Sequence, residues 1–90
     1  MFFKKESKIK QLIGTQYALE LTMSNGEKHE YSLEPTWMVW DSEPEIYNRN
    51  PSDVLKYDSI LSSTGEYLNP KFITKVKVLN TNSNFVVEVK

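Results

Sequence analysis

Tyr17-Ala18-Leu19-Glu20-Leu21-Thr22-Met23-Ser24-Asn25-Gly26-Glu27-Lys28-His29-Glu30-Tyr31-Ser32-Leu33 is the stretch whose reading decides the fold class. Tyr17, Leu19, Leu21 and Met23 alternate with Ala18, Glu20 and Thr22, and the alternation resumes at His29, Tyr31 and Leu33, which is the period of a strand with one buried face. A two-residue Asn25-Gly26 loop would set Met23 against Lys28 and Leu21 against Glu30, mixing apolar and charged side chains on one face. A three-residue Ser24-Asn25-Gly26 loop instead opposes Leu21 to His29, Leu19 to Tyr31 and Tyr17 to Leu33, with Gly26 left-handed and a bulge after it. The apolar face stays consistent only in this second register.

Outward from this hairpin the same logic predicts further antiparallel strands. Ser7 to Ile13 reads as a short strand ended by Gly14. Thr74, Val76 and Val78 alternate with Lys75 and Lys77, and Phe85, Val87 and Val89 alternate with Val86 and Glu88, so the turn-forming Asn80-Thr81-Asn82-Ser83-Asn84 between them predicts a closing hairpin. Asn50-Pro51-Ser52-Asp53 reads as a helix start, since asparagine caps, proline suits the first helical position and an acid there suits the dipole. We expect one or two helical turns over 51–57, then a strand at Ser59–Ser63 turning at Thr64-Gly65 into Tyr67–Asn69. The expected architecture is all-β and mainly antiparallel, a small SH3-like or OB-like barrel or roll of five to six short strands. The alternative is an α+β arrangement with one helix over 51–62 lying on an antiparallel sheet.

Ninety residues make one domain, and a chain of this size buries only about 60 to 65% of the surface its unfolded form exposes. Eleven aromatics must supply much of that core and argue for a folded chain. The absence of cysteine excludes disulfides, thiolate metal sites and cysteine nucleophiles. Met1-Phe2-Phe3-Lys4-Lys5 lacks the order and apolar run of a secretory signal, and no stretch has the roughly 18 to 20 apolar residues of a membrane span, so a cytoplasmic location away from membranes is expected. Ten lysines against the single Arg49, with seven asparagines, is a composition that AT-rich genomes encode, those of low-GC bacteria and their phages and plasmids.

Chemistry-bearing constellations are sparse. His29 is the lone histidine, so a zinc site would need carboxylates for nearly all its ligands. Gly14, Gly26 and Gly65 are isolated and form no phosphate-cradling loop. Neither a metal site nor a cofactor is expected, and no catalytic arrangement emerges. Asp41, Glu43 and Glu45 cluster around Pro44 and read as an exposed acidic loop. Flanking it, Trp37, Trp40 and Tyr47 are of the types in which binding energy concentrates. Trp37 and Trp40 lie three residues apart, so in a strand they face opposite sides, with Trp40 expected to be exposed and Trp37 in the core. A second candidate surface follows from charge: the net is only −1, yet residues 1–10 and 71–90 each carry +3 while residues 27–58 carry −5. If the first and last strands are neighbours, Lys8, Lys10, Lys75 and Lys77 form a basic ridge able to follow a phosphate backbone. The acidic pI of about 5.8 and the single arginine favour a protein partner over nucleic acid. The expectation is therefore a non-enzymatic domain that binds a protein through residues 37 to 47, with nucleic-acid binding as the alternative.

Overall fold

The structure, a computed structural model, describes residues 10–89. Two long strands dominate it: β1 (Lys10–Met23) and the last strand, β7 (Ile73–Val89), pair antiparallel along nearly their whole lengths, and β2 (Lys28–Leu33) adds to the other edge of β1 in the order β2-β1-β7. Between β2 and β7 come two small hairpins, β3 (Thr36–Trp40) with β4 (Glu43–Tyr47), and β5 (Ile60–Leu61) with β6 (Tyr67–Leu68). Short 3₁₀ turns at Pro51–Lys56 and Pro70–Phe72 complete the chain. The fold is all-β, and among the described residues its sheets do not close into a barrel. It is elongated, 67 × 23 × 22 Å, with a radius of gyration of 17.0 Å against the roughly 12 Å of a compact domain of this length.

The first hairpin has the register that side-chain parity requires, with Tyr17 opposite Leu33, Leu19 opposite Tyr31 and Leu21 opposite His29. Met23 N–H donates to Glu27 O at 2.8 Å, which leaves Ser24, Asn25 and Gly26 as the loop, and Gly26 takes φ +88°. An added Cβ at Gly26 would meet nothing within 4 Å. The cost of Gly26→Ala is therefore purely conformational, about 1 kcal/mol, and we expect urea unfolding to show that loss without any change in the strand signal.

The buried side of this hairpin makes the core. Leu19, Leu21, Met23 and Leu33 pack with Val54 from the first 3₁₀ turn, Ile60 from β5 and Leu68 from β6. Asp53 reaches back to accept from Asn50 N–H at 3.0 Å, which sets the start of that turn as expected. The segment stays 3₁₀ and stops at Lys56, and the chain then goes into β5, so the single helix over 51–62 does not form. Ser59, Ser62, Ser63 and Thr64 are poor helix residues, and Ile60 is buried from the extended chain of β5 while Val54 is buried from the 3₁₀ turn.

Two expectations fail within the long strands, for one reason. Gly14 does not end a strand; it lies inside β1, opposite Phe85. Asn80 to Asn84 does not turn back on itself; Thr81 and Asn82 are paired to Tyr17 and Gln16, so residues 73–89 form one strand in place of a closing hairpin. Turn propensity there is overridden by pairing with β1, and the surplus residues of β7 are absorbed as bulges near Thr74, Leu79 and Ser83-Asn84.

Candidate functional site

Residues 37 to 47 form a hairpin, so of the acids expected in an exposed loop only Asp41 lies in the turn, while Glu43 and Glu45 lie on a strand. Asp41 and Ser42 form the hairpin's two-residue turn with φ of 46° and 67°, the left-handed pair that lets a tight turn match strand twist. Trp40 pairs with Glu43, Met38 with Glu45 and Thr36 with Tyr47, so these six side chains share one face. Trp37 and Val39 share the other face with Ile46 and Pro44. On the first face Trp40 Nε1 donates to Tyr47 Oη at 3.2 Å and Tyr47 Oη donates to Glu45 Oε2 at 2.9 Å, which joins two aromatics and a carboxylate into one hydrogen-bonded row.

A two-stranded hairpin is marginal alone, and this one is fastened at its base and along one side. Ile46 and Pro35 come so close to Gly14 that a Cβ there would lie 2.6 and 2.7 Å from their side-chain carbons. Asn48 Oδ1 accepts from Thr15 N–H at 2.9 Å, and Lys10 Nζ pairs with Glu43 Oε2 at 3.0 Å. Arg49 Nε donates to Thr36 Oγ1 at 2.7 Å, Arg49 Nη1 donates to Tyr57 Oη, and the guanidinium lies 5.5 Å from the Tyr57 ring centroid. Beside this anchor, burial chiefly, and then Tyr57, push the Tyr31 phenol above its ordinary pKa; Arg49 opposes the rise and Glu34 adds to it. A raised pKa on an acid means that the folded state keeps its proton where the unfolded state loses it. Stability should therefore fall as pH rises through about 10, and Tyr31→Phe should flatten that part of a stability profile measured by urea unfolding.

Fastened in this way, the hairpin leaves its tip in solvent. Met38, Val39, Trp40 and Tyr47 are all exposed, Trp40 at 53%. Trp37 faces away from Trp40, as its spacing requires, but it is 38% exposed and is not a core residue. The buried core cluster contains no residue of this hairpin, which approaches β1 at Gly14 through Ile46, so Trp37 is left outside the core. Asp41, Glu43 and Glu45 are exposed, and no lysine or arginine occurs between His29 and Asn48.

The lysines are placed differently. β1 and β7 are indeed neighbours, but their antiparallel register sets Lys10 against Val89, whereas Lys75 and Lys77 stand opposite Thr22 and Glu20. Ten residues of β1, about 33 Å, separate the two groups, and Lys10 is paired with Glu43. Lys8 lies outside the described residues. No continuous ridge is assembled from the described lysines.

One cluster had no sequence signal beyond the lone histidine. The loop of the first hairpin and the β5–β6 turn bring Glu27 and Glu66 to the two sides of His29, with Glu27 Oε2 3.2 Å from Nε2 and Glu66 Oε2 3.2 Å from Nδ1. The imidazole is only 10% exposed. Ser63 N–H donates to Glu30 O at 2.8 Å close by, so backbone and side chains together latch the second hairpin onto the first. The two carboxylates address different nitrogens of the one ring.

No family model, curated protein or solved structure matches the chain. Among the described residues no helix is long and apolar enough to cross a membrane.

Proposed function

We propose that this chain is a non-enzymatic, cytoplasmic protein-binding domain of a low-GC bacterium or one of its phages or other mobile elements, and that it presents the β3–β4 hairpin to its partner. One observation carries the reading. Trp40 projects into solvent on the same face as the exposed Met38 and Tyr47, on a hairpin whose acids Asp41 and Glu45 have no basic counterpart within it. Tryptophan and tyrosine held rigid by mutual hydrogen bonds offer large contact area at little entropic cost. The acids favour a partner surface that is apolar at its centre and basic at its rim. Protein is preferred to nucleic acid because an acidic, aromatic tip repels phosphate, and because Lys10 is separated from Lys75 and Lys77.

The test is capture from host lysate with and without nuclease, followed by titration of the captured protein against wild type and Trp40→Ala. The row on Trp40 is peripheral to the core, so the variant should keep its thermal midpoint and lose about 2 kcal/mol of affinity, roughly 30-fold. Capture that disappears with nuclease would replace this reading with nucleic-acid binding. Equal affinity of wild type and Trp40→Ala would remove the hairpin from the interface.

A further inference from the structure

Val78-Leu79-Asn80-Thr81-Asn82-Ser83-Asn84-Phe85-Val86 is chemically symmetric about Asn82: valine mirrors valine, leucine mirrors phenylalanine, asparagine mirrors asparagine and threonine mirrors serine. Such a segment suits a hairpin, yet β1 holds it straight, so its two halves cannot meet within one chain. Its outer edge is unpaired among the described residues. From Val78 to Val87 it carries no charge, proline or glycine, the usual protections of a free edge. Val78, Leu79 and Val86 are exposed, as is Ile13 opposite Val86 on β1.

We propose that the occupant of this edge is a second copy of the chain, paired antiparallel along β7 with Asn82 on a two-fold axis. Symmetry demands this self-complementarity. A two-fold perpendicular to the sheet sets each residue opposite its mirror position, so Val78 meets Val86, Leu79 meets Phe85, Asn80 meets Asn84 and Thr81 meets Ser83. The result is a six-stranded sheet, β2-β1-β7 continued by β7-β1-β2 of the second copy. Neutral, matched pairs leave no like charges facing each other across the axis. The bulges at Leu79 and Ser83-Asn84 twist this edge, and Asn82 Oδ1 already accepts from Asn84 N–H at 3.1 Å, so the pairing exchanges some existing bonds for new ones and the dimer is concentration-dependent.

The experiment is sedimentation velocity of the full chain over rising concentration, with variants that read out the register. Mass should move from the 10.5 kDa of one chain toward twice that value. N80K/N84K sets like charges opposite each other twice and should weaken the dimer at least ~10-fold, while mixing it with N80D/N84D should restore association, which a misfolded variant could not do. The chain has no cysteine, so N82C gives a clean probe. Paired across the axis its Cα atoms stand about 4.5 to 5.5 Å apart and should oxidise to an interchain disulfide, whereas those of S83C lie beyond the ~7 Å limit and should not. A monomer at all concentrations, a dimer indifferent to N80K/N84K, or S83C cross-linking as fast as N82C would each overturn the proposal.

Discussion

Replacing Leu19 with alanine is expected to lower stability by about 4 kcal/mol in urea unfolding followed by circular dichroism. Leu19 is fully buried in the central strand, between Tyr31 of β2 and Val78 of β7, and it belongs to a cluster of seven buried side chains among the described residues. Each of these seven therefore carries a large share of the burial. Leu33 sits on the adjoining strand, and the hydrogen-bonded ladders on both sides of β1 hold its neighbours in place, so a cavity left there would collapse poorly. A domain of this length has roughly 5 to 13 kcal/mol in total, so the variant should be partly unfolded at 37 °C. Ile13→Ala is the control on the same strand: its side chain is 63% exposed, and it should cost under about 0.5 kcal/mol. Similar losses from the two variants would mean that the core is not where the structure puts it.

Gly14→Val should cost about 3 kcal/mol and act on the β3–β4 hairpin before the core. Even a Cβ at this position would meet Ile46 Cδ1 at 2.6 Å and Pro35 Cγ at 2.7 Å, well inside contact distance, and Asn48 Oδ1 at 3.1 Å. The end of the isoleucine can swing away, but the proline ring cannot, and valine adds two methyl groups that have no space. Relief comes from lifting the hairpin off β1, which breaks the Thr15 N–H bond to Asn48 and draws Glu43 away from Lys10. Both tryptophans lie on that hairpin, so their fluorescence should shift and their accessibility to acrylamide rise at urea concentrations where the β signal is still native. An unchanged tryptophan signal would show that the hairpin is not seated on Gly14. If Trp40 makes the partner contact, Gly14→Val should also weaken capture, because the hairpin loses its fixed orientation.

Much of the first hairpin could be read from its side chains. Leu19, Leu21 and Leu33 alternate with charged residues, and a one-residue slip would bury Glu20 or Glu30, so parity alone selects the three-residue turn at Gly26. The candidate site was only half legible. Trp40 on the solvent side followed from its three-residue offset from Trp37, but nothing local showed that Trp37 would also be left partly exposed, because that depends on where the core stops. The His29 latch joins residues that lie 37 apart in sequence, Glu66 and His29, and no periodicity connects them.

The sequence by itself determined the all-β class, the register at residues 17–33, the helical start at Pro51 and the turn at Gly65. Each rests on local alternation or on a residue's own backbone preference, and both act over a few neighbours. Only the tertiary structure decided that Asn80 to Asn84 runs straight, that Gly14 is a seat and not a stop, and that Lys10 lies far from Lys75 and Lys77. Those outcomes hinge on one long-range choice, the pairing of β7 with the whole of β1. The ladder formed by that pairing outweighs the turn preference of three asparagines, and its antiparallel direction fixes which ends of the chain meet.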